Sequence, residues 1–226
     1  MTQYELIRSR RKTAAIHITK DAVVEVRAPL KMPKASIDRF VASKEQWIRT
    51  TLEKVTVRLA AQAAFTLDYG SQITLLGKEY TISAGQSRRV GYGEIGVLIP
   101  SDLSPAEVKR AVIRLYRSVA RNKLIERTQR IAPMMGVVPA AIRITGAKTR
   151  WGSCSSKNSI NFSWRLIMAD DEIIEYVIVH ELAHIKEHNH SPRFWAVVEG
   201  ILPDYKFRRR RLKLLQSKLA VEDWDE

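Results

Sequence analysis

The first third of the chain alternates. The stretches "KTAAIHIT" and "AVVEVRAP" interleave apolar and polar residues on either side of Lys20-Asp21, the period-two pattern of a half-buried hairpin. Pro33 then precedes Ile37, Phe40, Val41, Trp47, Ile48, Leu52 and Val55, a spacing that lays one apolar stripe along a helix. Alternation returns in "SQITLLGKEYTIS", read as a second hairpin turning at Gly77-Lys78, and Gly91, Gly93 and Gly96 punctuate short strands up to Pro100.

The pattern then lengthens to a helical period. Ser104-Pro105-Ala106-Glu107 has the layout of a capping box with proline at the first helical position, and Val108, Val112, Leu115 and Val119 continue one face. A long basic helix is expected to about Arg130, ended by Pro133 and Gly136. "AIRIT" and "SINFSWRLIM" read as strands joined by the loop "GAKTRWGSCSSKN". Asp170 or Asp171 can cap the next helix, Ser191-Pro192 starts another, and Pro203-Asp204 opens a last one rich in arginine and lysine. The expected fold class is α+β: a β-rich N-terminal part with one helix over residues 1-100, then a helical part with a small antiparallel sheet over 101-226, as two domains or one continuous unit.

With 226 residues and 45% hydrophobic side chains, the chain can bury a sizeable core without disulfides or a structural metal. The start, Met1-Thr2-Gln3-Tyr4-Glu5, lacks a basic-then-apolar leader, and no apolar run approaches the ~18 residues of a membrane span. A soluble, cytoplasmic protein without a membrane partner is expected, and the single cysteine, Cys154, fits a reducing compartment. A net charge of +14 would draw anions. The basic residues gather at 8 to 12, at Arg88-Arg89, from Lys109 to Arg130, and at Arg208 to Arg211. No nucleic-acid-binding motif accompanies them, so solvated helix faces are the simpler account.

One segment carries chemistry. "HELAHIKEHNH", residues 180 to 190, holds four of the five histidines. Helical residues four apart differ by only ~40° around the axis and ~6 Å along it, so His180 and His184 can both reach one zinc ion. Glu181, beside the first of them, is placed to take a proton from a zinc-activated water as general base. This is the H-E-x-x-H arrangement of zinc peptidases. For the third ligand, His188 would stand in a straight row with the other two, which cannot converge. His190 would point away on a continued helix, so it can coordinate only if the chain turns back. Asn189, tolerant of the left-handed conformation, and the fresh start at Ser191-Pro192 offer that turn. His190 is therefore the expected third ligand, and Glu187, bending back from the helix end, the second choice.

These residues carry a resemblance. "TRWGSCSSKNSINFSWRLIM", "VIVHELAHIKEHNHSPRFW" and "PDYKFRRRRLK" resemble the YgjP-like metallopeptidases, relatives of the SprT and WLM zinc-dependent peptidases, and "RKTAAIHITKDAVVEVRAP" and "VASKEQWI" are similar to the same family. The resemblance implies a zincin-like catalytic part with zinc on His180, His184 and His190, Glu181 as base, and a peptide or protein substrate. The spacing from His184 to His190 is also that of metzincins, but Glu187 occupies their glycine position and no methionine follows His190.

Around this centre, Arg150 or Trp151 is expected to line the cleft and bind substrate, with the strand from Ser159 to Met168 presenting its edge to an extended peptide. The competing account makes Trp151 and Trp164 core aromatics and Gly152 a turn. Cys154 reads as a buried structural thiol, His17 as a strand residue, and Tyr205 and the 208 to 211 arginines as structural. Two further readings keep the metal: a nucleoside triphosphate pyrophosphohydrolase, suggested by the positive charge, and a nucleic-acid-associated peptidase recruited through the basic surface. Nothing in the sequence specifies an oligomeric state.

Overall fold

The computed structural model describes residues 2–87, 89–94 and 96–225. Met1, and Arg88 of the Arg88-Arg89 pair, lie outside the described residues. Contacts divide the chain into two compact units, Met1–Phe65 with Ala220–Asp223, and Thr66–Leu219 with Trp224–Glu226. The first unit's main segment ends at Phe65.

The first unit is a three-stranded sheet with two helices. β3 (Val24–Pro29) is central, antiparallel to β2 (Ala15–Ile18) as the alternating pattern predicts, and parallel to β1 (Glu5–Ser9). Val24, Val26 and Ala28 point to one side and bury against Ile37, Val41 and Ile48. The single expected helix is two, α1 (Lys34–Ala42) and α2 (Glu45–Ala64). The Ser43 hydroxyl donates to the Phe40 carbonyl, 2.7 Å away, and Lys44 leaves helical dihedrals at φ −113°, ψ 10°. The apolar stripe survives the break because Ile37, Val41 and Ile48 still face the sheet. Ala220 belongs here, its carbonyl accepting from Gln62 Nε2 at 2.8 Å.

The second unit begins with β4 (Gln72–Leu75), β5 (Lys78–Gly85), β6 (Gly91–Gly93) and β7 (Gly96–Pro100), in the order β4-β5-β7-β6. The β4–β5 turn centres on Leu76-Gly77, one residue earlier than expected, with both residues at positive φ (53° and 73°), the backbone of the tight hairpin turn that matches strand twist. These strands belong with the residues after 100 because their turn docks there. Leu76 N–H donates to the Ile167 carbonyl at 2.7 Å, and the Tyr116 hydroxyl donates to the Thr74 carbonyl at 2.8 Å.

α3 (Pro105–Met134) starts at the expected capping box: Glu107 Oε2 accepts from the Ser104 hydroxyl at 2.6 Å and from its N–H at 2.9 Å. The helix runs past Arg130, with Pro133 inside its last turn. Gly136, at φ +63°, ends it, with Val137 N–H returning to the Ala132 carbonyl.

β8 (Ala141–Thr145), β9 (Gly152–Cys154) and β10 (Ser159–Ser163) form a small sheet in the order β8-β10-β9. It is mixed, not purely antiparallel: β9 runs antiparallel to β10, and β8 parallel to it. Residues 164–168 are a 3-10 helix and not more strand. α4 (Asp171–Lys186), α5 (Pro192–Ile201) and α6 (Tyr205–Leu219) complete the unit. No helix among the described residues is long and apolar enough to cross a membrane.

Candidate metal centre

α4 is the frame of the site. Asp170 is its cap, accepting from the N–H groups of Glu172 and Ile173 at 3.1 and 3.0 Å. The helix is apolar around most of its girth and buries Ile173, Ile174, Val177, Ile178, Val179, Leu182 and Ala183. Its start is pinned from three directions. Arg127 of α3 pairs with Asp171 at 2.6 Å, and Arg211 of α6 pairs with Asp170 and Glu172. Gly77 of the β4–β5 turn lies against Asp170 so closely that a β-carbon there would stand 2.6 Å from the Asp170 Cβ.

At the other end the helix stops at Lys186, before His188, and the reversal differs from the expected one. Asn189 does not take the left-handed conformation; the chain instead leaves through Glu187 in extended geometry, φ −137° and ψ 103°. Ser191 then caps α5, its hydroxyl accepting from Phe194 N–H at 3.3 Å. The turn brings His190 back over the face of α4 that holds His180 and His184.

Those three histidines converge. One ring nitrogen from each lies within 4.8 Å of the others, and the Nε2 atoms of His180 and His190 are 3.0 Å apart. Two ligands of a tetrahedral zinc ion at ~2.0–2.1 Å stand about 3.3 Å from each other, so the cluster has the size of a zinc site. His184 Nδ1 lies 3.2 Å from the Glu187 carbonyl oxygen; donating to it puts the proton on Nδ1 and leaves Nε2 bare, as metal ligation requires. Burial holds His180 far below its ordinary pKa, at about 3, with His184, His190 and Arg209 adding to the effect. Burial also lowers His184. Neutral imidazoles are the form a cation needs. The residues present therefore fit zinc.

Phe194, fully buried, backs the cluster, its ring centre 4.9, 4.5 and 4.8 Å from those of His180, His184 and His190. Trp195 stacks on His190 at 5.6 Å and on Tyr205 at 5.2 Å, and the Arg209 guanidinium stands over the Trp195 ring at 5.1 Å.

Glu181 is 6% exposed. Its burial pushes the carboxyl pKa up to about 8, against the opposing pull of Arg150. It has room only because residue 152 is glycine: a β-carbon there would fall 2.6 Å from both Glu181 Cγ and Oε1. Gly152 is thus not the turn of the competing account but the first residue of β9, held against Glu181. Cys154 is half-buried and not fully buried as expected; burial, and then Glu181, raise its thiol above the ordinary value.

The strand edge at the site is also not the expected one. β10 is paired on both sides, so it has no edge to offer; the open edge is that of β9. Trp151 and Ser163 form a hydrogen-bonded pair, as do Ser155 and Ser159, and alternation then turns the N–H and C=O of Gly152 and Cys154 away from β10.

Residues 12–214 match the YgjP-like family, by its description a metallopeptidase domain. The chain belongs to this family. Among solved structures, the metallopeptidase zymogen of Pyrococcus abyssi abylysin is 24% identical over 39% of this chain and 90% of that one, with a TM-score of 0.37. The metallopeptidase zymogen of Methanocaldococcus jannaschii jannalysin is 23% identical over 42% and 95%, with a TM-score of 0.36. No curated protein matches the chain. Membership in the YgjP-like metallopeptidase family implies a divalent metal and a peptide or protein substrate.

Of the residues expected at this YgjP-like site, His180, His184 and His190 come together; Glu181 follows His180 in α4 with its carboxyl buried, and Arg150 lies close enough to bias it. Trp151 is half-buried, and its contact with β10 runs through its carbonyl, which accepts from Ser163 N–H at 2.8 Å. Trp164 is a core residue, stacked on Tyr116. Phe194 and Trp195 were not foreseen at the site, and Arg209 was read as structural with the rest of its run. The signal for the first two lay in the helix restart at Ser191-Pro192, which brings positions 194 and 195 round to the histidines. For Arg209 the run of four arginines carried no signal about direction: Arg208 pairs with Glu175 and Asp204, Arg211 with the start of α4, and only Arg209 lies over Trp195.

Proposed function

We infer that the chain is a zinc-dependent peptidase in which His180, His184 and His190 hold the metal and Glu181 is the general base. The observation that carries this reading is the convergence of three imidazoles beside a buried carboxylate that only a glycine leaves room for. Zinc, when bound, supplies Lewis-acid polarisation of the scissile carbonyl and of the attacking water.

The chain's own residues do the rest. The Glu187 carbonyl fixes His184 in the ligating tautomer, and Phe194 excludes water from behind the three rings. Glu181 takes the proton of the attacking water and returns it to the leaving amine. A cation beside Glu181 favours its carboxylate and offsets the burial that otherwise keeps it protonated. Gly152 and Cys154 offer main-chain donors and acceptors to an extended peptide, and Arg150 stands near Glu181 at the same rim.

The nucleotide reading rests on net charge alone, and Arg208 and Arg211 are already engaged in ion pairs within the fold. Metal analysis together with cleavage of unstructured peptides and nucleoside triphosphates tests the assignment. Near-stoichiometric zinc is expected in both wild type and Glu181→Gln, with peptide turnover about 10²- to 10⁴-fold lower in the variant. Full turnover in Glu181→Gln would overturn it.

A further inference from the structure

The four consecutive arginines of α6 differ in what holds them. Arg208 pairs with Asp204 at 2.9 Å and with Glu175 at 2.6 Å, Arg211 pairs with Asp170 and Glu172, and Arg210 Nε donates to the Lys206 carbonyl at 3.4 Å. The Arg209 guanidinium finds no acceptor among the described residues and lies over the Trp195 ring instead. Stacking occupies the face of a guanidinium and leaves the N–H groups at its edge free to donate, while it restrains a long exposed side chain. Arg209 is thus a held cation with unused donors.

Its place is beside the three histidines. Trp195 stacks on His190, and its ring centre is 5.9 Å from that of His180. On α6, Tyr205 stands one turn before Arg209 on the same face and stacks on the same indole at 5.2 Å. The positive charge is felt on the metal helix: burial, His184 and His190 hold the His180 imidazole low, and Arg209 acts in the same direction.

A second donor faces this charge. Tyr176, one turn before His180 on α4, is 3% exposed, and its ring centre is 5.9 Å from that of His180. Its hydroxyl forms no hydrogen bond among the described residues. Burial raises the phenol, Arg209 pulls it back, and Tyr205 and Glu181 add to the rise, so the hydroxyl lies within electrostatic reach of the guanidinium, the second phenol and the base. Buried polar groups are nearly always paired, so a hydroxyl left open beside an unpaired guanidinium points to an acceptor that arrives with a ligand.

We propose that Arg209, held on Trp195, and the Tyr176 hydroxyl form a subsite for a substrate carboxylate next to the scissile bond. The subsite rests on the zinc-peptidase reading of the same centre and names the peptides that centre prefers. A planar guanidinium matches a carboxylate in shape and charge, and carboxylates are the anions that an unmodified polypeptide carries. Two sources satisfy this chemistry: the free C-terminus of the peptide, and an aspartate or glutamate side chain close to the bond that is cut.

Three unstructured peptides of one neutral sequence test it: one ending in a free carboxylate, one amidated, and one amidated with glutamates in place of its glutamines. Each is titrated calorimetrically into zinc-loaded Glu181→Gln, and its cleavage by zinc-loaded wild type is followed by chromatography. At least one carboxylate-bearing peptide is expected to bind about ten-fold or more tightly than the neutral one, with a correspondingly lower KM. Preference for the first identifies a C-terminus, and preference for the third an acidic side chain. Arg209→Gln, at an exposed position, is expected to bring the ratio of acidic to neutral affinity, and of kcat/KM, down towards one through KM, with zinc content at wild-type level. Arg209→Lys should restore part of the ratio, and Tyr176→Phe, which deletes one oxygen and keeps the ring, should lower it less. Equal binding of all three peptides, a ratio unmoved by Arg209→Gln, or a loss of kcat common to all three would overturn the subsite, and cleavage of the peptides would then leave the peptidase reading standing. Binding and cleavage of none would overturn both.

Discussion

Gly152 and Glu181 touch: a β-carbon added to the glycine would occupy the space 2.6 Å from the glutamate's Cγ and Oε1. The contact fixes where the carboxylate stands relative to the three histidines. Gly152→Ala is therefore expected to displace Glu181 and lower peptide turnover by ten-fold or more while zinc content stays at wild-type level. Parallel metal analysis and steady-state kinetics check this, and loss of zinc together with activity would instead mean that β9 supports the ligands.

Phe194 is enclosed by the three imidazoles. Phe194→Ala should cost about 3–5 kcal/mol of stability, as removal of a buried aromatic does, and should weaken zinc binding because the rings lose their common backing. Denaturant unfolding with and without chelator separates the two effects.

The metal-free protein should be most stable between about pH 4.5 and 6.5, where the two effects below offset each other, and should lose stability on either side. His180, with a pKa of about 3 when folded against 6.5 ordinarily, stays neutral while the unfolded chain takes up a proton, so stability falls as pH drops from about 6.5 towards 3. Glu181, at about 8 when folded against 4.5 ordinarily, keeps a proton that the unfolded chain has released, so stability falls as pH rises from about 4.5 to 8. Glu181→Gln should abolish the alkaline loss and leave the acid one. Saturating zinc should remove the alkaline loss in wild type, since the cation favours the carboxylate. Melting temperature against pH, with and without zinc, measures all three.

Gly77 is far from the histidines in sequence but stands at the head of their helix. A side chain at this position meets Asp170 and also strains a backbone at φ +73°. Gly77→Ala should lower stability by about 1–3 kcal/mol, a shift visible in thermal unfolding, and should do so in chelated and zinc-loaded protein alike.

The helix that carries His180 and His184 is legible in the sequence because its signals are local: an aspartate cap, an apolar run and two histidines one turn apart. The third histidine was readable because Ser191-Pro192 announces a new helix, although the reversal is made by Glu187 and not by Asn189. What the sequence hid depends on distant partners. "AIRIT" alternates as a strand should, but nothing in it says that β8 runs parallel to β10. The three residues of β9 are too few to show a period, so Gly152 read as a turn. The break between α1 and α2 lies at Lys44, whose backbone leaves the helical dihedrals, against an apolar spacing that continues through it. The arginine run was visible as charge, yet its members serve different partners that only packing assigns.

β9 is only three residues long, so its rim can grip roughly 10 Å of main chain. A grip that short, made to peptide groups common to all residues, spells out no side-chain code. If the proposed function holds, it would admit slack polypeptide and turn away segments whose amides are already spoken for in a helix or sheet, which would make the disorder of a target, more than its spelling, the property selected.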